Sequence, residues 1–149
     1  MREVEGSLLS VAERGEAFGH GCNCEGVMGG LAAKVEQGWP AMAAVYRARC
    51  DDGTFTLGGV LPWLDEETGV WIYNLATQQR PGPDAKLEAI ADSVRAAIDH
   101  APKNGVRTIY LPRIGSGIGG LDWDDVRATL ERVDAEAAGV ELVVVSLPN

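Results

Sequence analysis

Two glycine clusters hold the residues of this chain best suited to chemistry. Gly21-Cys22-Asn23-Cys24-Glu25-Gly26-Val27-Met28-Gly29-Gly30 follows a strand-like run and opens a helical one, and Pro112-Arg113-Ile114-Gly115-Ser116-Gly117-Ile118-Gly119-Gly120 does the same. Glycine lets the main chain come close to a ligand and turn its N–H groups toward it. Two such strand-to-helix loops can wall a cleft for a diphosphate beyond the strand ends. The phosphate loop of ATPases is excluded, because Gly120 is followed by Leu121 where a lysine is needed. Gly115 to Gly120 matches G-x-G-x-x-G, but no acidic residue stands at the end of a next strand about 20 residues on, as the dinucleotide fingerprint requires.

The other chemically capable side chains read more simply. His20, Cys22 and Cys24 alternate along a strand, yet Cys-x-Cys lacks zinc spacing and no fourth ligand is evident, so neither metal nor cofactor is expected. Cys22 and Cys24 read as small apolar residues. Asp84 reads as a helix cap, Arg80 as a solvated loop residue, and His100 as a cation complementing a helix C-terminus. Asp84 and Glu25 are the acids available for proton transfer, and nothing in the sequence puts either at the glycine loops. Trp39, Trp63, Trp71 and Trp123 are scattered along the chain as packing aromatics are, not grouped as a base-stacking platform.

Composition limits what the loops can serve. With 149 residues, 46% of them hydrophobic, and no internal repeat or linker, the chain is expected to form one domain over residues 1–149. Its 13 Lys+Arg against 22 Asp+Glu leave a net charge of −9, which repels polyanions at long range and disfavours broad nucleic-acid binding. Any bound anion must therefore be held locally, by main-chain N–H groups and helix N-termini. No apolar run approaches the ~20 residues that cross a bilayer. Acidic residues interrupt the N-terminus where a secretory signal would be apolar, and the 3 cysteines are odd in number, so a soluble, cytoplasmic monomer without a membrane partner is expected. The 10 arginines against 3 lysines hint at a GC-rich bacterial source.

The elements that must position the loops follow from periodicity. Strand-like segments are Glu3 to Leu9, Ala17 to Cys22, Thr56 to Trp63, Val70 to Leu75, Thr108 to Leu111 and Val140 to Ser146. A helix over Asp84 to His100 repeats Leu87, Ile90, Ala91, Val94, Ala97 and Ile98 at spacings of three and four, and Asn104-Gly105 closes it. Another runs from Asp122, its cap, to about Ala138, with Leu121 and Val126 as a staple and Gly139 as its stop. Pro40 divides Gly30 to Cys50 into two short helices. The segments Thr56 to Trp63 and Val70 to Leu75 flank a turn and read as a hairpin, so the expected fold is a three-layer α/β/α sandwich with a mixed central sheet.

The run Asn23-Cys24-Glu25-Gly26-Val27-Met28-Gly29, taken with Leu111 through Trp123, resembles the paired ligand loops of macrodomains. The likeness extends from about Val4 to Leu147. It is greatest to the branch holding the terminal ADP-ribose glycohydrolases and the antitoxin macrodomain that removes ADP-ribose from DNA. That resemblance implies an ADP-ribosyl hydrolase removing ADP-ribose from acidic side chains or other acceptors, with ADP-ribose, ADP-ribosylated protein or ADP-ribosylated nucleic acid as its partner; a non-catalytic ADP-ribose reader and an ADP-ribose 1″-phosphate phosphatase are the other activities it implies. By the same resemblance, Gly26, Val27, Met28, Gly29 and Gly30 would face Pro112, Ile114, Gly115, Ser116, Gly117, Ile118 and Gly119 across the diphosphate and distal ribose. Asn23 would face the distal ribose, Thr77 its rim, and Leu8 and Leu147 the adenine. The family's acidic adenine contact falls at Ser7, its catalytic lysine at Gln78 and the partner aspartate at Gly119. Glutamine cannot form a Schiff base, so a lysine mechanism is excluded at Gln78, which with Asn23 is left as the candidate catalytic pair.

Overall fold

The computed structural model describes residues 1–148. Six strands, β1 (Arg2–Glu5), β2 (Ala17–Cys22), β3 (Val60–Asp65), β4 (Val70–Ala76), β5 (Thr108–Leu111) and β6 (Glu141–Ser146), form one sheet in the order β1-β6-β5-β2-β4-β3. Every pairing is parallel except β3 with β4. Helices α4 (Leu87–His100) and α5 (Trp123–Glu136) cover one face, where Ile90, Val94, Val126 and Leu130 meet Leu111 and Leu142. Helices α1 (Leu8–Glu13), α2 (Leu31–Gly38) and α3 (Pro40–Asp51) cover the other, with Val11, Val35, Met42 and Tyr46 around Phe18 and Ile72. The chain is therefore a three-layer α/β/α sandwich around a mixed sheet.

Local chemistry accounts for most of these bounds. Pro40 sits in the first turn of α3, where its missing N–H costs nothing, and so separates α3 from α2. Asp122 caps α5 by accepting the Asp124 N–H at 2.8 Å. The β3–β4 turn is tied by the Asp65 carboxylate, which accepts from the Glu67 N–H, the Thr68 hydroxyl and the Trp39 indole.

Three expectations are corrected. The first strand stops at Glu5, and Leu8, read as strand, begins α1, whose buried Leu8, Val11 and Ala12 carry a helical spacing too short to stand out in sequence. The third strand begins at Val60, not Thr56, because the Gly59 N–H turns back to the Thr56 carbonyl. Asp84 does not cap α4: Lys86 holds that position without a side-chain bond, and the Asp84 carboxylate accepts the N–H groups of Gln79 and Arg80 instead. Those bonds keep its carboxyl below the usual range, the Arg80 N–H contributing most. At its other end α4 stops at His100, and a 3-10 turn over Pro102–Asn104 precedes Gly105.

The order of strands makes a site. From β2 the chain departs toward β4, whereas from β5 it departs toward β6, yet β2 and β5 are hydrogen-bonded neighbours. Connections leaving in opposite directions open a crevice beyond the carboxyl ends of these strands.

Candidate functional site

Both glycine loops emerge into that crevice and wall one cavity of about 400 Å³. From the first loop, Asn23, Val27, Met28, Gly29 and Gly30 line it; from the second, Pro112, Ile114, Gly115, Gly117, Ile118 and Gly119 do. Thr77 and Gln78, just past β4, complete the far side. Gly26, Ser116, Leu8 and Leu147 are not among the lining residues. Gly26 turns outward, where its carbonyl accepts from Arg47 Nε at 3.0 Å, and the Ser116 hydroxyl donates to the Arg113 carbonyl at 2.7 Å. Leu8 is buried in the core cluster that also holds Phe18 and Val145, and Leu147 is largely exposed.

The decisive feature is what the main chain leaves unpaired. Among the described residues, the N–H groups of Met28, Gly29, Gly30 and Leu31, and those of Gly115, Gly117, Ile118 and Gly119, have no acceptor in the protein. All of these residues line the cavity. Donors left free on two converging loops, one of them leading into the first turn of α2, make a site for an anion. The loops also touch: a Cβ at Gly30 would lie 2.8 Å from Ile118 Cδ1.

Side chains spend themselves on holding these loops. Asn23 Oδ1 accepts the N–H groups of Glu25 and Val27, and its Nδ2 donates to the Val27 carbonyl at 2.7 Å. The Tyr46 hydroxyl, fully buried in α3, donates to the Asn23 carbonyl at 2.7 Å and lies 3.1 Å from Oδ1. Behind them, Arg47 joins Gly26 to Glu36 of α2. Gln78 Nε2 donates to the carbonyls of Arg80 and Gly82. The segment it folds is stitched to both loops, through Cys24 N–H to the Gln79 carbonyl and Ala85 N–H to the Gly119 carbonyl. Gly21 is required beneath the site, since a Cβ there would come within 2.9 Å of Thr77 Oγ1.

The cavity floor carries no charge at neutral pH. Asn74 donates to the Leu61 carbonyl, which leaves its Oδ1 to accept from His20 Nε2 at 2.7 Å. Burial lowers the His20 pKa to about 4, only partly opposed by Asn74, so the ring is neutral. Burial likewise drives the Cys22 thiol far above its ordinary value and the Cys24 thiol to about 11, which removes either as a thiolate nucleophile. Among the described residues no carboxylate lines the cavity: Glu25 and Asp84 are both outside it. Among the described residues no group of three or more His, Cys, Asp or Glu side chains could hold a metal ion, and no helix is long and apolar enough to cross a membrane.

Sequence reasoning did not select His20, Tyr46, Pro81, Gly82 or Arg113, all of which line the cavity. Arg113 stood inside the quoted motif, whereas Tyr46 reaches Asn23 across 23 residues and leaves no local signal.

Comparison with known proteins agrees with this geometry. The chain is 26% identical over 147 residues to a DNA ADP-ribosyl glycohydrolase of Thermus aquaticus, covering 97% of this chain and 40% of that protein. It is 37% identical over 79 residues to human ADP-ribose glycohydrolase OARD1, covering 53% of this chain and 51% of that one. It thus spans about half or less of the length of these two relatives. The macrodomain of Mycobacterium tuberculosis DarG superposes with a TM-score of 0.82 at 27% identity, over 99% of this chain and 98% of that one. The Macro domain family model matches residues 20–130, from the floor histidine through the second loop and into α5, and the chain belongs to that family.

Proposed function

We propose that the cavity binds ADP-ribose and that the protein is a hydrolase releasing ADP-ribose from an acceptor joined to its distal ribose. The single observation carrying this reading is the set of unpaired N–H groups on residues of both loops that line one cavity. Its volume suits a small-molecule site, and main-chain donors can hold a diphosphate even where net charge is −9. The ends of β1 and β6, from which Leu8 and Leu147 follow, lie on one side of the crevice and Thr77 and Gln78 on the other. That order supports an adenosine half lying toward β6 and a distal ribose lying toward β4.

The chemistry is hydrolysis: water adds its oxygen to C1″ and its proton goes to the departing acceptor oxygen. With Gln78 in place of the family's lysine, and with His20 neutral, the means available are orientation of the ribose and stabilisation of developing charge by fixed N–H dipoles. ADP-ribosylated protein and ADP-ribosylated nucleic acid are both admissible substrates on this reading, and free thiols at Cys22, Cys24 and Cys50 suit a reducing cytoplasm. A non-catalytic reader is the second reading, favoured by the fact that the Asn23 and Gln78 amides are both engaged by the protein itself.

Release of ADP-ribose from a glutamate-modified protein and from modified single-stranded DNA tests the proposal, with Gly117→Glu as control. No atom lies within 4 Å of a Cβ placed at Gly117, so that change leaves packing intact while filling the cavity with a like charge. Release by the wild type and none by the variant is expected. Binding without release from either substrate would assign the reader's role instead.

A further inference from the structure

Resting on the ADP-ribose reading, we infer that Arg113 is a binding residue of this cavity, its guanidinium meeting the phosphate nearer the adenosine. It is the only Asp, Glu, Lys or Arg among the lining residues, and His20 beneath them is uncharged. A single cationic residue on the wall that also carries the free N–H groups is the complement a doubly charged diphosphate requires.

Two observations mark this arginine as reserved for a ligand. Its guanidinium lies over the Trp123 ring, 5.3 Å from the centroid, a contact that fixes the side chain without neutralising it. Arg127 lies over the same ring at 5.6 Å but is bound to Glu3 and Asp124. Among the described residues Arg113 forms no ion pair; Arg49, Arg80, Arg107 and Arg132 form none either, but of these five Arg113 alone lines the cavity.

Position assigns the phosphate. Arg113 stands two residues past β5, which is flanked by β6 on one side and β2 on the other, while Gln78 follows β4 beyond β2. Arg113 is thus on the adenosine side and away from the bond to the acceptor. A contact made there is equally strong before and during hydrolysis, so its loss is read first as weaker binding.

Calorimetry with ADP-ribose and with ADP on the wild type, Arg113→Gln and Arg113→Lys is the test, repeated from low to high salt. Arg113→Gln is expected to weaken both ligands by the same factor, about tenfold. The gap to the wild type should narrow as salt rises, with Arg113→Lys in between and the unfolding midpoints unchanged. Equal ADP-ribose affinity in wild type and Arg113→Gln would overturn the role of Arg113 alone, as would a loss that does not respond to salt. Failure of the wild type to bind ADP-ribose would remove the underlying reading instead.

Discussion

Ile118 and Gly30 meet across the mouth of the cavity, with Ile118 Cδ1 2.8 Å from the point where a Gly30 Cβ would stand. Gly30 also holds φ 58° and ψ −127°, a conformation open to glycine alone. Gly30→Ala is therefore expected to weaken ADP-ribose binding by more than about tenfold, from clash and backbone strain together. Adding Ile118→Ala removes the clash but not the strain, and calorimetry on the double variant should show affinity still depressed. Full recovery would mean the backbone at residue 30 is not what shapes the anion site.

Asn23 organises the first glycine loop, and through that loop it is expected to govern ADP-ribose binding. Asn23→Ala strips the Val27 carbonyl and the Glu25 and Val27 N–H groups of partners and leaves the Tyr46 hydroxyl with one acceptor fewer. Urea unfolding is expected to show a loss of about 1–3 kcal/mol, as for buried polar groups left unpaired, together with weaker ADP-ribose binding. Tyr46→Phe should cost less, and the double variant less than the sum, because the two side chains share one network. Strict additivity would separate Tyr46 from the loop.

What could be read from sequence was what neighbours in sequence decide. Glycine spacing after Ala17 to Cys22 and Thr108 to Leu111, the Asp122 cap and Pro40 at a first turn all act within a few residues, and each stands where expected. Helix α1 escaped because Leu8, Val11 and Ala12 make a single turn and a half, too short to outweigh the β-like run before them. The supports of the site lie far off: Asn74 beneath His20 is 54 residues away and Tyr46 beside Asn23 is 23. Asp84 read as a cap because capping is the commoner use of an acid before a helix, whereas here the Gln79 and Arg80 N–H groups reach it first.

Gln78 presents its amide nitrogen to two carbonyls, those of Arg80 and Gly82. Gln78→Lys keeps a donor there, so stability and ADP-ribose release are both expected to match the wild type, its ammonium being held by the turn and not by the ribose. Gln78→Glu sets a carboxylate against the same oxygens and should destabilise by about 1–2 kcal/mol while lowering release. A large gain in release by Gln78→Lys, followed by trapping of a reduced covalent adduct, would show that the family's lysine chemistry can be restored at this position.

Stability should depend on pH through the two histidines. Burial holds His20 at about 4, below the ordinary 6.5, and burial with the Lys103 charge also lowers His100. A lowered histidine pKa means the unfolded chain binds more protons than the folded one between these values, so stability is complete above about pH 6.5 and falls as acid is added. For His20 the loss should approach about 3 kcal/mol near pH 4, at 1.36 kcal/mol per unit. Carboxylates held low, such as Asp84 and Glu36, add their losses only at lower pH. Urea unfolding of the wild type and His20→Asn between pH 7 and 4.5 reads this directly: the variant should be less stable at pH 7 but lose much less on acidification. A parallel decline in both proteins would place the titration elsewhere than beneath the cavity.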